Sequence, residues 1–351
     1  MPVSSSSPHD SAHAEASQWT LHGIALLERG DRDSLMEAQA CFEQAIALRQ
    51  NLPLEQNPLY RWGLTAGWMN RADALTKLGG SARIKEALRS YDIAIAHLHQ
   101  LPLETEPLFR WRLSLAWMNR GITLQAIDNE PSQQLALRHF DTALQVMQGH
   151  EDNPRPDYQQ VQAAAWMNRA NALLRQPSPE WLLAAASARR ALCHVRTAEK
   201  TDATATEIGI KARHTLCRAL AHLLEAPSVD PVQADEWILE ASDAVEDVMR
   251  LTNHDSRFMV LREEFFHFGC RIYRAFQPHF LAEFLDEVLG SGTASEKMTD
   301  AARESVAHAA LQIQQESLAG YTPARLDRLI LTLQSLSETS RKLRQDEAGE
   351  A

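Results

Sequence analysis

Apolar positions between residues 52 and 100 fall into two stripes at helical spacing. Leu64, Trp68, Ala72 and Leu75 recur at intervals of four, four and three, which lines one side of a helix. The spacing predicts a helix from about Pro58 to Leu78. Proline suits a first helical turn, where its missing N–H is no loss, and Gly79-Gly80 is a C-terminal stop. A second stripe, Leu88, Tyr91, Ile95 and Leu98, predicts a helix from about Ala82 to Gln100, closed by Leu101-Pro102.

This pair of elements recurs along the chain. The tetrapeptide Trp-Met-Asn-Arg stands at 68–71, 117–120 and 166–169, at intervals of 49 residues. One period back from Trp68 is Trp19, and one period on from Trp166 is Thr215, followed by Leu216, Cys217 and Arg218. Pro58, Pro107 and Pro156 keep the same register, as do Phe42, Tyr91 and Phe140, and Ala45, Ala94 and Ala143. One amphipathic helix pair cannot cover its own stripe, whereas stacked pairs can, so the pattern predicts an all-α solenoid.

These residues resemble the tetratricopeptide repeat. That family's first helix carries Trp, a small residue four later and a large one three beyond. Trp19/Gly23/Leu26, Trp68/Ala72/Leu75, Trp117/Gly121/Leu124 and Trp166/Ala170/Leu173 fit it. Its second helix carries Ala, an aromatic and Ala, met by Ala38/Phe42/Ala45, Ala87/Tyr91/Ala94 and Ala136/Phe140/Ala143. The period of 49 exceeds the family's usual 34, so both helices are expected to be long. The resemblance implies a right-handed α-solenoid of antiparallel helix pairs. Five repeats are expected over 18–250, at about 18–51, 52–100, 101–149, 150–199 and 200–250. A divergent candidate sixth repeat at 251–290 contains Phe265, Gly269 and Ile272. Capping helices are expected over 291–345, a disordered polar leader over 1–17 and a frayed tail over 346–351.

The resemblance also implies a concave surface lined by first helices, on which Asn at the matching position bonds the backbone of an extended peptide. An amide suits that task because it both donates and accepts. Asn70, Asn119 and Asn168 follow their Trp by two residues, about 200° around a helix, and so turn away from the Trp seam. Asp73, Lys77, Asn171 and Arg175 share that side, and Met69, Met118 and Met167 stand just before the asparagines. These ten residues form the expected partner-binding set. The other reading of the Asn series is that duplication copied it without selection for binding, or that it bridges neighbouring helices. The family's clamp for a terminal carboxylate needs basic residues here and is not expected.

Arg71, Arg120, Arg169 and Arg218 lie about 60° from the Trp direction, at the edge of the expected core. Glu43, Asp92 and Asp141 form a second series with the same period, so pairing between stacked helices is expected. The Trp series itself is expected in the core, and Trp62 and Trp111 between adjacent repeats.

Composition narrows the class further. The 351 residues include 51 Ala and 45 Leu but only 24 Val plus Ile, which favours helices over sheets. The net charge of −11 and the lack of basic runs disfavour nucleic acid and anionic membranes. No apolar run is long enough to span a bilayer. Cys41, Cys193, Cys217 and Cys270 have no metal-ligand spacing and read as buried, reduced thiols of a cytoplasmic protein. No phosphate-loop, nucleophile-elbow or zinc-protease motif occurs. The expected function is a non-enzymatic, cofactor-free adaptor for a protein or peptide, neutral or basic by charge. The alternative is a structural part of a larger assembly, such as a cytoskeletal filament, joined through the convex face or the ends.

Overall fold

The computed structural model describes residues 8–150, 153–199, 201–224, 229–252 and 265. Among these residues it is all-helical, with ten α-helices and no strand. They are α1 (Pro8–Arg29), α2 (Arg32–Gln50), α3 (Pro58–Leu78), α4 (Ser81–Leu98) and α5 (Pro107–Gln125). There follow α6 (Glu130–Val146), α7 (Pro156–Leu174), α8 (Trp181–Val195), α9 (Ala203–Leu224) and α10 (Pro231–Leu251). The chain divides into two compact units, Met1–Ile208 and Gly209–Ala351.

Local chemistry explains where the helices begin and end. The Asp31 side chain accepts from Ser34 N at 2.9 Å, Asn57 from Leu59 N at 2.9 Å, and Asn129 from Ser132 N at 2.9 Å. Each satisfies an N–H that the helix cannot. Pro58, Pro107 and Pro156 open their helices, as the repeat spacing predicts. Gly79 and Gly80, with φ of 69° and 88°, make the sharp turn from α3 to α4 that a side chain would strain.

In the first unit each odd-numbered helix packs on the even-numbered helix after it, and each even-numbered helix on the next pair. The first helices α1, α3, α5 and α7 also touch one another in turn. This is solenoid-type stacking. Phe42, Tyr91 and Phe140 are fully buried, flanked in each second helix by alanines of zero exposure. Gly23 and Gly121 face two of these rings. A Cβ at Gly23 would stand 2.6 Å from Phe42 Cε1, and one at Gly121 2.7 Å from Phe140 Cε1.

The polar leader expected over 1–17 is corrected in part, because α1 starts at Pro8. Tertiary bonds outweigh the polar composition there. Tyr60 Oη donates to Asp10 Oδ1 at 2.8 Å, the His13 ring lies 5.1 Å from that of Tyr60, and Ala16 is fully buried. The Trp series is corrected in part: Trp68 and Trp117 pack against the core but are not fully covered by it. Trp19 is 38% exposed, and Trp68, Trp117 and Trp166 are half-buried. Their outer faces meet arginine: Arg71 lies 6.0 Å over Trp68, and Arg169 5.7 Å over Trp166. Trp62 and Trp111 do lie between repeats, Trp62 5.3 Å from Phe109 and Trp111 Nε1 donating to Asp157 O at 3.0 Å.

In the second unit Arg213 pairs with Asp247 at 2.9 Å, and Cys217 is buried with Sγ 3.8 Å from Ala241 O. Cys41 is also buried, but Cys193 is exposed, against expectation, because it lies off the apolar stripe of α8. Of the candidate sixth repeat only residues 251, 252 and 265 are described, and Phe265 is buried with its ring 5.7 Å from His214. Cys270, the expected capping helices and the tail lie outside the described residues.

Gly121→Val is expected to lower stability by about 1–3 kcal/mol, through overpacking against Phe140. Thermal melting checks this. Phe140→Leu in the same chain should recover part of the loss.

Candidate functional site

α3 meets α1 and α5, and two of the ten expected residues, Asp73 and Asn119, come together there. Asn119 Nδ2 donates to Asp73 Oδ1 at 3.3 Å, joining α5 to α3. Tyr91 Oη, from α4, donates to the same Asp73 oxygen. Thr76 Oγ1 and Thr123 Oγ1 are 3.0 Å apart, and Thr123 donates to Asn119 O at 3.0 Å. Lys77 Nζ reaches the carbonyl of Leu27, near the end of α1, at 3.3 Å, where a cation complements the helix dipole.

Asp73 therefore serves the stack as well as its surface. Burial pushes its carboxyl up to about 6, against the hydrogen bond from Tyr91 and the charge of Lys77. The repeat register explains the pairing. Only the second repeat has Tyr where Phe42 and Phe140 stand, and only there does Asp replace Ile24 and Ile122. A buried phenol needs an acceptor, and Asp73 supplies it. Comparing the two positions across repeats would have revealed this pair.

The remaining expected residues separate into three groups. Met69, Met118 and Met167 are corrected: they are 4%, 6% and 8% exposed and belong to the core. One step along a helix from Asn turns a side chain by about 100°, which puts Met69 in the cluster of Tyr91, Phe109 and Leu113 and Met118 in that of Phe140, Tyr158 and Val161. Asn171 Nδ2 lies 3.2 Å from Met167 Sδ, and Arg175 is exposed at the end of α7. Asn70 and Asn168 are half-buried and make no side-chain hydrogen bond among the described residues.

The arginine series lies on the other side, where second helices flank a first helix. Arg71 Nε donates to Glu43 at 2.9 Å, Arg120 Nε to Asp92 at 2.8 Å and Arg169 Nε to Asp141 at 2.6 Å. Each carboxylate comes from the preceding pair. The same guanidinium then reaches its own second helix: Ser90 Oγ at 2.9 Å, the His139 ring at 3.1 Å and Ser187 Oγ at 2.6 Å. One arginine thus ties three helices together at each joint. Arg218 is exposed, and one period beyond Asp141 the chain has Arg190 instead of a carboxylate. A cleft of about 460 Å³ opens beside the first joint, lined by Ile46, Trp68, Arg71, Glu86, Arg89 and Ile93. No group of side chains suited to a metal ion occurs among the described residues.

No protein-family model matches the chain, and no curated protein matches it.

Arg120→Ala is expected to cost about 1–2 kcal/mol, lowering the melting temperature by a few degrees, because a charge-assisted bond across the joint is lost. An unchanged melt would contradict the clamp. Asp73 makes stability depend on pH. Its carboxyl titrates near 3.8 unfolded and near 6 folded, so its contribution is full below 3.8 and lost as pH rises through 6. The loss is on the order of 3 kcal/mol. His139 acts oppositely: burial, then the Arg120 charge, pulls it from 6.5 to about 4, so stability falls as pH drops below 6.5. Asp73→Asn isolates the first effect. Denaturant melts should show the variant gaining on the wild type between pH 4 and pH 7, and a pH-independent difference would contradict the assignment.

Proposed function

We propose that the protein is a non-enzymatic interaction module that holds an extended protein segment along the face formed by its first helices. Asn70 and Asn168 carry this reading. They are copies of one residue in one register, partly exposed, and each keeps its amide free of side-chain bonds among the described residues. An amide so placed can donate to a backbone carbonyl and accept from a backbone N–H of a bound strand. The stacking of α1, α3, α5 and α7 presents the series on adjacent helices, which suits an extended ligand. Asn119 joins the row but is already held by Asp73, so it contributes its position more than a free amide. The resemblance to tetratricopeptide repeats supports the same face, and makes it the concave one. The chain's charge of −11 favours a partner that is neutral or basic overall. No cofactor is proposed, and the proposed location is the cytoplasm.

A second reading rests on the cleft beside Trp68. Its lining of Ile46, Trp68 and Ile93 on the second-helix side offers an apolar foothold for a larger assembly.

Affinity purification from the native host with mass spectrometry tests both. The wild-type chain is expected to retain a partner that the Asn70→Ala/Asn168→Ala variant loses while melting at the same temperature. A partner kept by that variant and lost on Ile93→Asp would move the function to the second-helix side.

A further inference from the structure

The cleft beside the first joint lies where the chain itself supplies a planar group at the next two joints. Trp68 of α3 lines it together with Ile46 of α2 and Ile93 of α4. Its volume of about 460 Å³ falls in the range of roughly 300–1,000 Å³ that small-molecule sites occupy.

The three joints can be compared position by position. At the first, Ser90 accepts from Arg71 and donates to the carbonyl of Glu86, four residues earlier. At the second, the same position is His139, whose ring stands 5.0 Å from that of Trp117. At the third, Ser187 repeats the bonds of Ser90, with Arg169 and with the carbonyl of Leu183. Three residues beyond Ser187 is Arg190, its guanidinium 5.7 Å over the Trp166 ring. Three residues beyond Ser90 is Ile93. A planar, nitrogen-bearing group of the second helix thus packs on the tryptophan at two joints. At the first joint that helix offers only Ser90 and Ile93, and the space stays open.

The charges change in the same sense. Glu86 lines the cleft where Leu135 and Leu183 stand at the other joints. Glu43 and Glu86 balance Arg71 and Arg89, so the lining of the first joint is neutral. The corresponding positions carry Asp92 against Arg120 and Arg138, and Asp141 against Arg169 and Arg190, an excess of one cation at each. One added cation would bring the first joint to the charge of its neighbours. The side chains of Glu43 and Glu86 are 45% and 49% exposed, so both are accessible to it.

We propose that this cleft binds a small molecule carrying a guanidinium group, which takes the place over Trp68 that Arg190 takes over Trp166 and donates to the Glu86 carboxylate. A guanidinium is weakly hydrated, stacks on an indole and presents paired N–H groups to a carboxylate, which an ammonium does not. The site stands independently of the segment-binding reading, and its test needs no partner.

Isothermal titration calorimetry of the full chain with agmatine tests it, with cadaverine as the ammonium counterpart. The wild type is expected to bind agmatine saturably at about millimolar concentration and cadaverine several-fold more weakly. Ile93→Arg, which rebuilds the third joint, should abolish binding while melting at the wild-type temperature. No saturable heat with agmatine, equal affinity for cadaverine, or binding kept by Ile93→Arg each overturns the site. If Ile93→Arg does not fold, Glu86→Leu decides: weakened binding supports the site, and unchanged binding overturns it. The peptide Gly-Gly-Arg-Gly-Gly distinguishes the source of the group. Equal or weaker binding than agmatine supports a small molecule, and binding about tenfold tighter would assign the guanidinium to a protein and overturn that assignment.

Discussion

An aromatic ring at the centre of α2, α4 and α6 leaves little room on the first helix that faces it. The rest of the stack depends on that constraint. Gly23 and Gly121 meet Phe42 and Phe140 so closely that even a methyl group would overlap the ring. Glycine there lets the ring lie against the first helix, and the flanking alanines of the second helix are all fully buried. Close approach within each pair turns the remaining apolar surface toward the neighbouring pairs, and stacking follows.

Stacking then fixes where the charges go. The arginine that ends each Trp-Met-Asn-Arg stretch sits at the rim of the joint, tied to a carboxylate of the preceding pair, and Arg71 and Arg169 also lie over a tryptophan. The carboxylates are 45–56% exposed, so each bond alone is worth little, and the added bonds to Ser90, His139 and Ser187 turn a surface ion pair into a three-helix tie. The first-helix side is held differently, by Asp73, Tyr91 and Asn119 at one joint, and Asn70 and Asn168 make no side-chain bond among the described residues. The two sides divide the work: one closes the joints, and the other keeps unsatisfied polar groups at its surface.

Much of this was legible in the repeat. Pro58–Leu78 was bounded correctly from its proline, its stripe and its glycines. The arginine–carboxylate pairs followed from two series sharing one period. Periodicity could not tell how far each tryptophan is covered, because that depends on the arginine lying over it. Composition misled at 8–17, where single bonds to Tyr60 and Arg49 order a polar segment. The methionines were misplaced because adjacent positions on a helix differ by about 100°, enough to exchange surface for core.

The proposed partner surface is the first-helix face and not the second-helix side. Photo-crosslinking in the native host tests it most directly. A photoreactive residue at position 70 should form a covalent adduct with one partner, and the same residue at position 93 should form none with it. Adducts from position 93 with none from position 70 would contradict the account.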